Sequence, residues 1–274
     1  MKVEYLSLYK FRITKGKIFK FSEGFSAEEY SQFKYGESIT NARFSKKLYD
    51  LFITVYKDFL LNTKTKIFVV APPYLSIPAA STYLAQNFTE KLNGYLKQRN
   101  KKNVSFLRLR VERYLSTHPP NYAELNIKER KEVIKNIQLV SIRKKNLKGA
   151  TVILLDDCYM TGSTTKNSLS IFKSHKVKNV FVLTVIRCVN KNSCPCPELE
   201  FQLNHTWVSN PRRFLSILLS STSFLTIRAV RFFIKHQDLL LKTNVLYKMS
   251  KKRRDILKNA LLDRNYNTKI RASL

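Results

Sequence analysis

The chain has 274 residues, 44% of them hydrophobic, with 50 Lys and Arg against 19 Asp and Glu, a formal charge of +31. That apolar content supports a real core and excludes wholesale disorder, and the length admits one large domain or a core domain plus an extension. The charge points to a polyanionic partner (nucleic acid, a membrane surface or a phosphate-rich substrate), or to an excess spread over a solvated surface, because charged residues recur along the whole chain.

The four cysteines, Cys158, Cys188, Cys194 and Cys196, form no even, spaced framework, so a reducing, cytoplasmic setting is expected. The first ten residues lack a sustained apolar core and do not read as a signal peptide. The longest apolar run, Phe214 to Ile227, is interrupted by serines and threonines. It falls short of the roughly 20 residues needed to span a bilayer and predicts a packed helix instead.

Residues 1–35 alternate apolar and basic positions (Phe11, Ile13, Ile18, Phe19, Phe21), which predicts a hairpin or short strands that could serve as a hood. From Ser38 to Leu61, apolar residues Phe44, Leu48, Leu51, Phe52, Val55 and Phe59 recur at three- and four-residue steps and predict a helix with one inward face. Lys66 to Ala71 reads as a strand stopped by Pro72-Pro73, and the small-residue segment from Ser76 leads into a helix running to Leu96. Asn103 to Leu107 is a further strand that runs directly into Arg108 and Arg110. The polar stretch from Tyr114 to Lys135 has the character of an active-site lid. Gln138 to Ile142 is a weak strand signal, and Asn179 to Ile186 a strong one.

This alternation predicts an α/β fold, a mostly parallel sheet with helices on both faces. Beyond Cys188 the pattern changes. Residues 207–274 hold 15 Lys/Arg against 3 Asp/Glu and read as a basic, mainly helical extension. The expected organisation is therefore an N-terminal segment 1–35, a core 36–190 and an extension 191–274.

The most informative stretch is Thr151-Val-Ile-Leu-Leu-Asp-Asp-Cys-Tyr-Met-Thr-Gly-Ser-Thr-Thr165. Five β-branched and aliphatic residues end in two acids, Asp156 and Asp157. Small hydroxylated residues around Gly162 follow, and then a helical pattern to Ser174. A buried parallel strand, a loop at its C-terminal end and a helix N-terminus form the place where open α/β sheets bind phosphorylated ligands. Two carboxylates beside a phosphate nest suit a ligand that also offers hydroxyls or a metal ion, as a phosphorylated sugar does. A P-loop reading of Gly162-Ser-Thr-Thr-Lys166 fails, because the first glycine and the Gly-Lys-Ser/Thr ending are absent.

In this stretch the chain resembles the type I phosphoribosyltransferases, whose signature is a hydrophobic strand, two acids, a few variable residues and Thr-Gly-x-Thr or a close relative. The resemblance covers residues 36–188 and implies binding of 5-phosphoribosyl 1-pyrophosphate (PRPP) with Mg²⁺ carried mainly by PRPP itself. It also implies transfer of ribose 5-phosphate to a nitrogenous base. By analogy, Asp156 and Asp157 face the ribose hydroxyls and act in catalysis, while Met160, Thr161, Gly162, Ser163, Thr164 and Thr165 wrap the 5-phosphate. The family's pyrophosphate loop corresponds to Ala71 to Ser76, which makes Tyr74, Leu75 and Ser76 pyrophosphate contacts, joined by Arg108 and Arg110. Pro72 and Pro73 remove two donor N–H groups from that loop and weaken it relative to the family pattern. The stretch Asn121 to Arg130 further resembles orotate-phosphoribosyltransferase-like proteins of stress and tellurite-resistance operons, which marks Tyr122 and Arg130 as lid contacts.

Two function classes stay open: a phosphoribosyltransferase, with a homodimer as one oligomeric option, or a non-catalytic PRPP- or nucleotide-sensing regulator that acts on nucleic acid. The basic cluster Lys251-Lys-Arg-Arg254 in the extension is a phosphate-binding surface in the second case, or a solvated helix face. Cys188, Cys194, Cys196 and His205 offer four S/N ligands to Zn²⁺, but at a spacing outside the usual patterns, and free thiols in a connection are the competing reading.

Overall fold

The computed structural model describes residues 1–13, 19–72, 77–101, 104–107, 111–113, 138–139, 146–190, 203, 211–220, 222–236, 238 and 244–263. Its strands are β1 (Lys2–Ile13), β2 (Phe19–Phe21), β3 (Ile67–Val70), β4 (Ser105–Leu107), β5 (Val111–Arg113), β6 (Gln138–Leu139), β7 (Thr151–Tyr159) and β8 (Asn179–Cys188). Its helices are α1 (Ala27–Tyr35), α2 (Ser38–Asn62), α3 (Ala80–Lys97), α4 (Ser163–Ser174), α5 (Pro211–Leu219), α6 (Ile227–Lys235), α7 (Val245–Lys248) and α8 (Lys251–Asp263).

Six strands form the main sheet in the order β2-β1-β8-β7-β3-β4, and every neighbouring pair is parallel except β1 with β2. The predicted parallel α/β sheet is thus present, with β7 at its centre. The physical reason lies in the strand sequences. Val152 and Leu154 point to one face and Ile153 and Leu155 to the other, and all four are fully buried. A strand apolar on both sides is stable only inside a sheet covered twice. One face packs against α2 and α3 through Phe44, Leu48, Phe52, Leu84 and Phe88. The opposite face packs against Phe172 of α4, with Leu147 and Val177 closing the ends.

The N-terminal segment does more than form a hairpin. β1 pairs antiparallel with β2 from Phe11 to Ile13, yet from Lys2 to Phe11 it runs parallel to β8 as part of the main sheet. Its sequence neighbours 27–35 form helix α1 rather than a strand. Ser26 Oγ caps this helix by accepting from Glu29 N–H at 3.1 Å, Glu28 and Glu29 lie in its first turn, and Gly36 ends it in the left-handed conformation. Tyr56 Oη donates to Glu4 Oε2 at 2.5 Å and fastens α2 to β1.

The apolar run Phe214 to Ile227 is not one helix. α5 stops at Leu219 and α6 starts at Ile227. Ser220 and Thr222 hydroxyls bond each other at 3.0 Å, and Thr226 Oγ1 accepts from Ala229 N–H at 3.2 Å as the cap of α6. The Thr226 hydroxyl takes the Ala229 N–H and Gly36 O takes the Phe224 N–H, so backbone groups of this stretch find partners outside a single helix, which outweighs the apolar pattern. Helices α5 to α8 form their own core around Phe214, Val230, Phe233, Leu246 and Leu257. Two residues of the sheet domain, Tyr35 and Ile77, are buried in that same core. The extension is therefore packed onto the C-terminal end of α1 and the segment that follows β3.

The expected strand at 103–107 is β4. The weak signal at 138–142 becomes β6, which pairs antiparallel with β5 in a separate two-stranded sheet. The lid-like stretch 114–135 lies outside the described residues.

Candidate functional site

β7 and the turn into α4 position the predicted acids and phosphate loop together. Five buried residues, Thr151 to Leu155, carry the strand to Asp156, which is itself only 7% exposed. Asp156 Oδ1 accepts from the backbone N–H of Asp157 at 2.8 Å. Such a bond stabilises the ionised carboxylate and fixes its plane.

Asp157 has a partner that sequence reasoning missed. Lys34, on the last turn of α1, donates from Nζ to Asp157 Oδ2, and the two side chains are 8% and 14% exposed. A buried lysine ammonium is costly unless paired, so this contact is part of how α1 docks on the sheet. Nothing in the sequence separates Lys34 from the other basic residues, because the pairing spans 123 positions.

The loop after the acids is tightly built. Met160 and Thr165 are buried, Thr161 Oγ1 bonds Ser163 Oγ at 2.9 Å, and Ser163 N–H donates to Thr161 Oγ1 at 3.3 Å. Gly162 is the N-cap of α4 at φ 71°, with no side-chain cap bond. A Cβ at Gly162 would stand 2.5 Å from Tyr159 Oη and 2.7 Å from its Cζ. The Tyr159 ring cannot easily yield. It meets Tyr5 edge-on at 5.7 Å, and the Arg187 guanidinium lies 4.8 Å over Tyr5 and 5.4 Å over Tyr159. Burial, followed by the neighbouring Tyr159, pushes the Tyr5 phenol up. Arg187 thus brings a cation under the loop, held by two aromatic faces. Gly162→Ala is expected to cost about 1–3 kcal/mol in urea denaturation, from the left-handed backbone plus the Tyr159 contact. A change below about 0.5 kcal/mol would show that the loop is loosely held.

The other predicted contacts are less defined. Pro72 is half-buried at the end of β3, whereas Tyr74, Leu75, Ser76, Arg108, Arg110, Tyr122 and Arg130 lie outside the described residues. The exit of the 71–76 segment is anchored: Ile77 is buried, and Pro78 O accepts from Ile227 N–H, the start of α6, at 3.0 Å.

Among the cysteines, Cys158 is partly exposed and Cys188 is buried, and Cys188 Sγ donates to Asn190 Oδ1 at 3.5 Å. Cys194, Cys196 and His205 are outside the described residues. Among the described residues no group of three or more His, Cys, Asp or Glu could hold a metal ion. No described helix is long and apolar enough to cross a membrane.

The basic cluster at 251–254 is partly structural. Arg253 donates to the carbonyls of Leu218 and Ser223, and Arg254 Nη1 donates to Leu246 O at 3.3 Å. Two of the four charges therefore cap carbonyls inside the helical extension, which leaves Lys251 and Lys252 exposed.

A family model described as PRTase ComF-like matches residues 3–271. The chain belongs to this phosphoribosyltransferase (PRTase) family. The match runs through the sheet domain and the helical extension, so both are parts of a ComF-like PRTase rather than a PRTase core with an unrelated tail. Solved structures similar to this ComF-like chain include a hypoxanthine-guanine phosphoribosyltransferase from Bacillus anthracis. That structure is 19% identical, covers 54% of this chain and 70% of its own, and has a TM-score of 0.35. A hypoxanthine phosphoribosyltransferase from Trypanosoma cruzi is 8% identical over 58% of this chain and 79% of its own, with a TM-score of 0.36. Adenine phosphoribosyltransferase from Saccharomyces cerevisiae is 14% identical over 60% and 73%, with a TM-score of 0.32. No curated protein matches the chain.

Proposed function

We propose that this ComF-like protein binds PRPP at the C-terminal end of β7 and transfers its ribose 5-phosphate to a nitrogenous base. The observation that carries this reading is the buried strand that delivers Asp156 and Asp157 next to the Gly162 turn, within a phosphoribosyltransferase family. In the reaction, the C1–O bond to pyrophosphate breaks, a base nitrogen bonds to C1, and the nitrogen's proton leaves. Positive charge develops at C1 as the bond to pyrophosphate breaks, and fixed carboxylates nearby stabilise it. The Met160 to Thr165 loop would hold the 5-phosphate through first-turn N–H groups and hydroxyls.

Mg²⁺ fits this site only as an ion carried on the ligand. The described residues offer no cluster of their own, and Asp157 is engaged by Lys34. Bound that way, Mg²⁺ would offset charge on the departing pyrophosphate. The extension, packed on Tyr35 and Ile77, is the proposed hood over the acceptor side, in place of residues 1–35, most of whose strand residues lie in the sheet.

A second reading is favoured by one contact. Lys34 offsets the charge of Asp157, a carboxylate that catalysis would use, and so suits a protein that binds PRPP as a signal without turning it over. Nucleic acid would then be the regulated partner, contacted through the remaining basic residues of the extension.

The two readings separate in one experiment. Incubation with PRPP, Mg²⁺ and a panel of purine and pyrimidine bases is expected to release pyrophosphate with one of them. PRPP-induced thermal stabilisation without turnover on any base would replace the enzyme with the sensor. Absence of stabilisation would refute PRPP as the ligand.

A further inference from the structure

We propose that Lys34 is a positioning and specificity residue of the ligand site, one that makes a doubly acidic strand end accept a diphosphate. This rests on the PRPP reading of the β7 end.

The electrostatic difficulty is plain. Asp156 and Asp157 are adjacent, and both are largely withdrawn from water, yet the ligand proposed to sit against them is a polyanion. Two uncompensated carboxylates would repel it, and more strongly where water does not screen them. Lys34 places a cation on one of them, Asp157, through an ion pair. Its head group has three N–H donors, and Asp157 Oδ2 takes one of them.

Lys34 is also held from behind. Thr226 Oγ1 of the helical extension donates to Lys34 O at 3.0 Å, and Phe224 N–H donates to Gly36 O at 2.7 Å. The backbone on either side of the lysine turn is thus fastened by residues about 190 positions away. The Lys34 carbonyl lies in the last turn of α1, where carbonyls have no intrahelical donor, and the extension supplies one. This clamp fixes the end of α1 that carries the lysine, and the ion pair holds the ammonium against Asp157. Such pre-placement is what discrimination by ligand charge requires.

The consequence is a charge-dependent preference. PRPP and ribose 5-phosphate share the sugar and the 5-phosphate, but only PRPP carries the diphosphate. Loss of the Lys34 charge should therefore weaken PRPP more than ribose 5-phosphate, whereas loss of a purely structural prop should weaken both equally.

The test is calorimetric titration of the full chain with PRPP and with ribose 5-phosphate, for wild type and Lys34→Gln. The ratio of the two affinities is expected to fall by about fivefold or more in the variant, with a smaller fall as salt is raised. Because Lys34→Gln strands a buried carboxylate, the same ratio is measured for Asp157→Asn against the double variant Lys34→Gln/Asp157→Asn, where no acid is left alone at that position. A lower ratio in the double variant supports the proposal. Equal losses for the two ligands in both comparisons, with PRPP still binding the wild type, would overturn this inference alone. No PRPP binding to the wild type would remove the PRPP reading and this inference with it.

Discussion

Gly36→Ala is expected to destabilise the protein by about 3 kcal/mol and to loosen the helical extension from the sheet domain. Gly36 ends α1 at φ 99°, a backbone region that side chains rarely adopt. An added Cβ would lie 2.1 Å from Phe224 O, 3.0 Å from Phe224 C and 3.1 Å from Thr226 Cγ2. The first two are backbone atoms, and the backbone there is tied by the bond from Phe224 N–H to Gly36 O, so relief means moving the extension. Stacking of Phe224 on Tyr83 at 4.1 Å and burial of Tyr35 beside Phe214 and Phe232 would be disturbed together. Gly24→Ala is the internal control. Its φ is 75° with nothing within 4 Å of a new Cβ, so it carries the backbone cost of about 1 kcal/mol without the collision. Thermal melts of the two variants should differ clearly, with faster limited proteolysis of the extension in Gly36→Ala. Equal melting temperatures would mean that the contact at Phe224 does not hold the two units together.

Asp157→Asn is expected to weaken PRPP binding at least about tenfold and to cost about 2–3 kcal/mol of stability, because it leaves a largely buried lysine without its anion. Asp156→Asn should behave differently. An amide oxygen can still accept from the Asp157 N–H and no buried lysine loses its anion, so stability should fall less than in Asp157→Asn while PRPP binding falls. Melting curves with and without PRPP read both quantities in one measurement. Unchanged PRPP binding in Asp157→Asn would refute the assignment of the ligand to this strand end.

The two variants mark where sequence reading succeeds. The chain around Asp157 was legible because its signal is local. An apolar run long enough for a strand, two acids, a glycine and a helical pattern are contiguous, and periodicity alone orders them. Lys34, by contrast, was invisible. A lysine among 50 basic residues acquires meaning only when a fold places it against an acid 123 positions away. Helix α1 is hidden in the sequence for a related reason. Residues 27–35 follow directly on alternating strand residues, and the deciding features, the Ser26 cap and the Gly36 stop, are single residues rather than a period.

The apolar run at 214–227 shows the opposite error. Composition suggested one helix, but hydroxyl side chains and the bond from Phe224 to Gly36 divide it. The N-terminal strand is similar. Its alternation predicted a strand, while its place parallel to β8 depends on a partner at residues 179–188.

The sequence by itself therefore determined the strand–helix alternation of the core from α2 to β8, the parallel sheet it builds, and the acid pair followed by the Gly162 turn. Each of these is a short-range pattern whose energetics are set by neighbouring residues. Only the tertiary structure decided that β1 completes the sheet, that Lys34 meets Asp157, and that the extension clamps the turn carrying that lysine. Those contacts join segments that hydrophobic burial brings together from distant parts of the chain, and no local period encodes them.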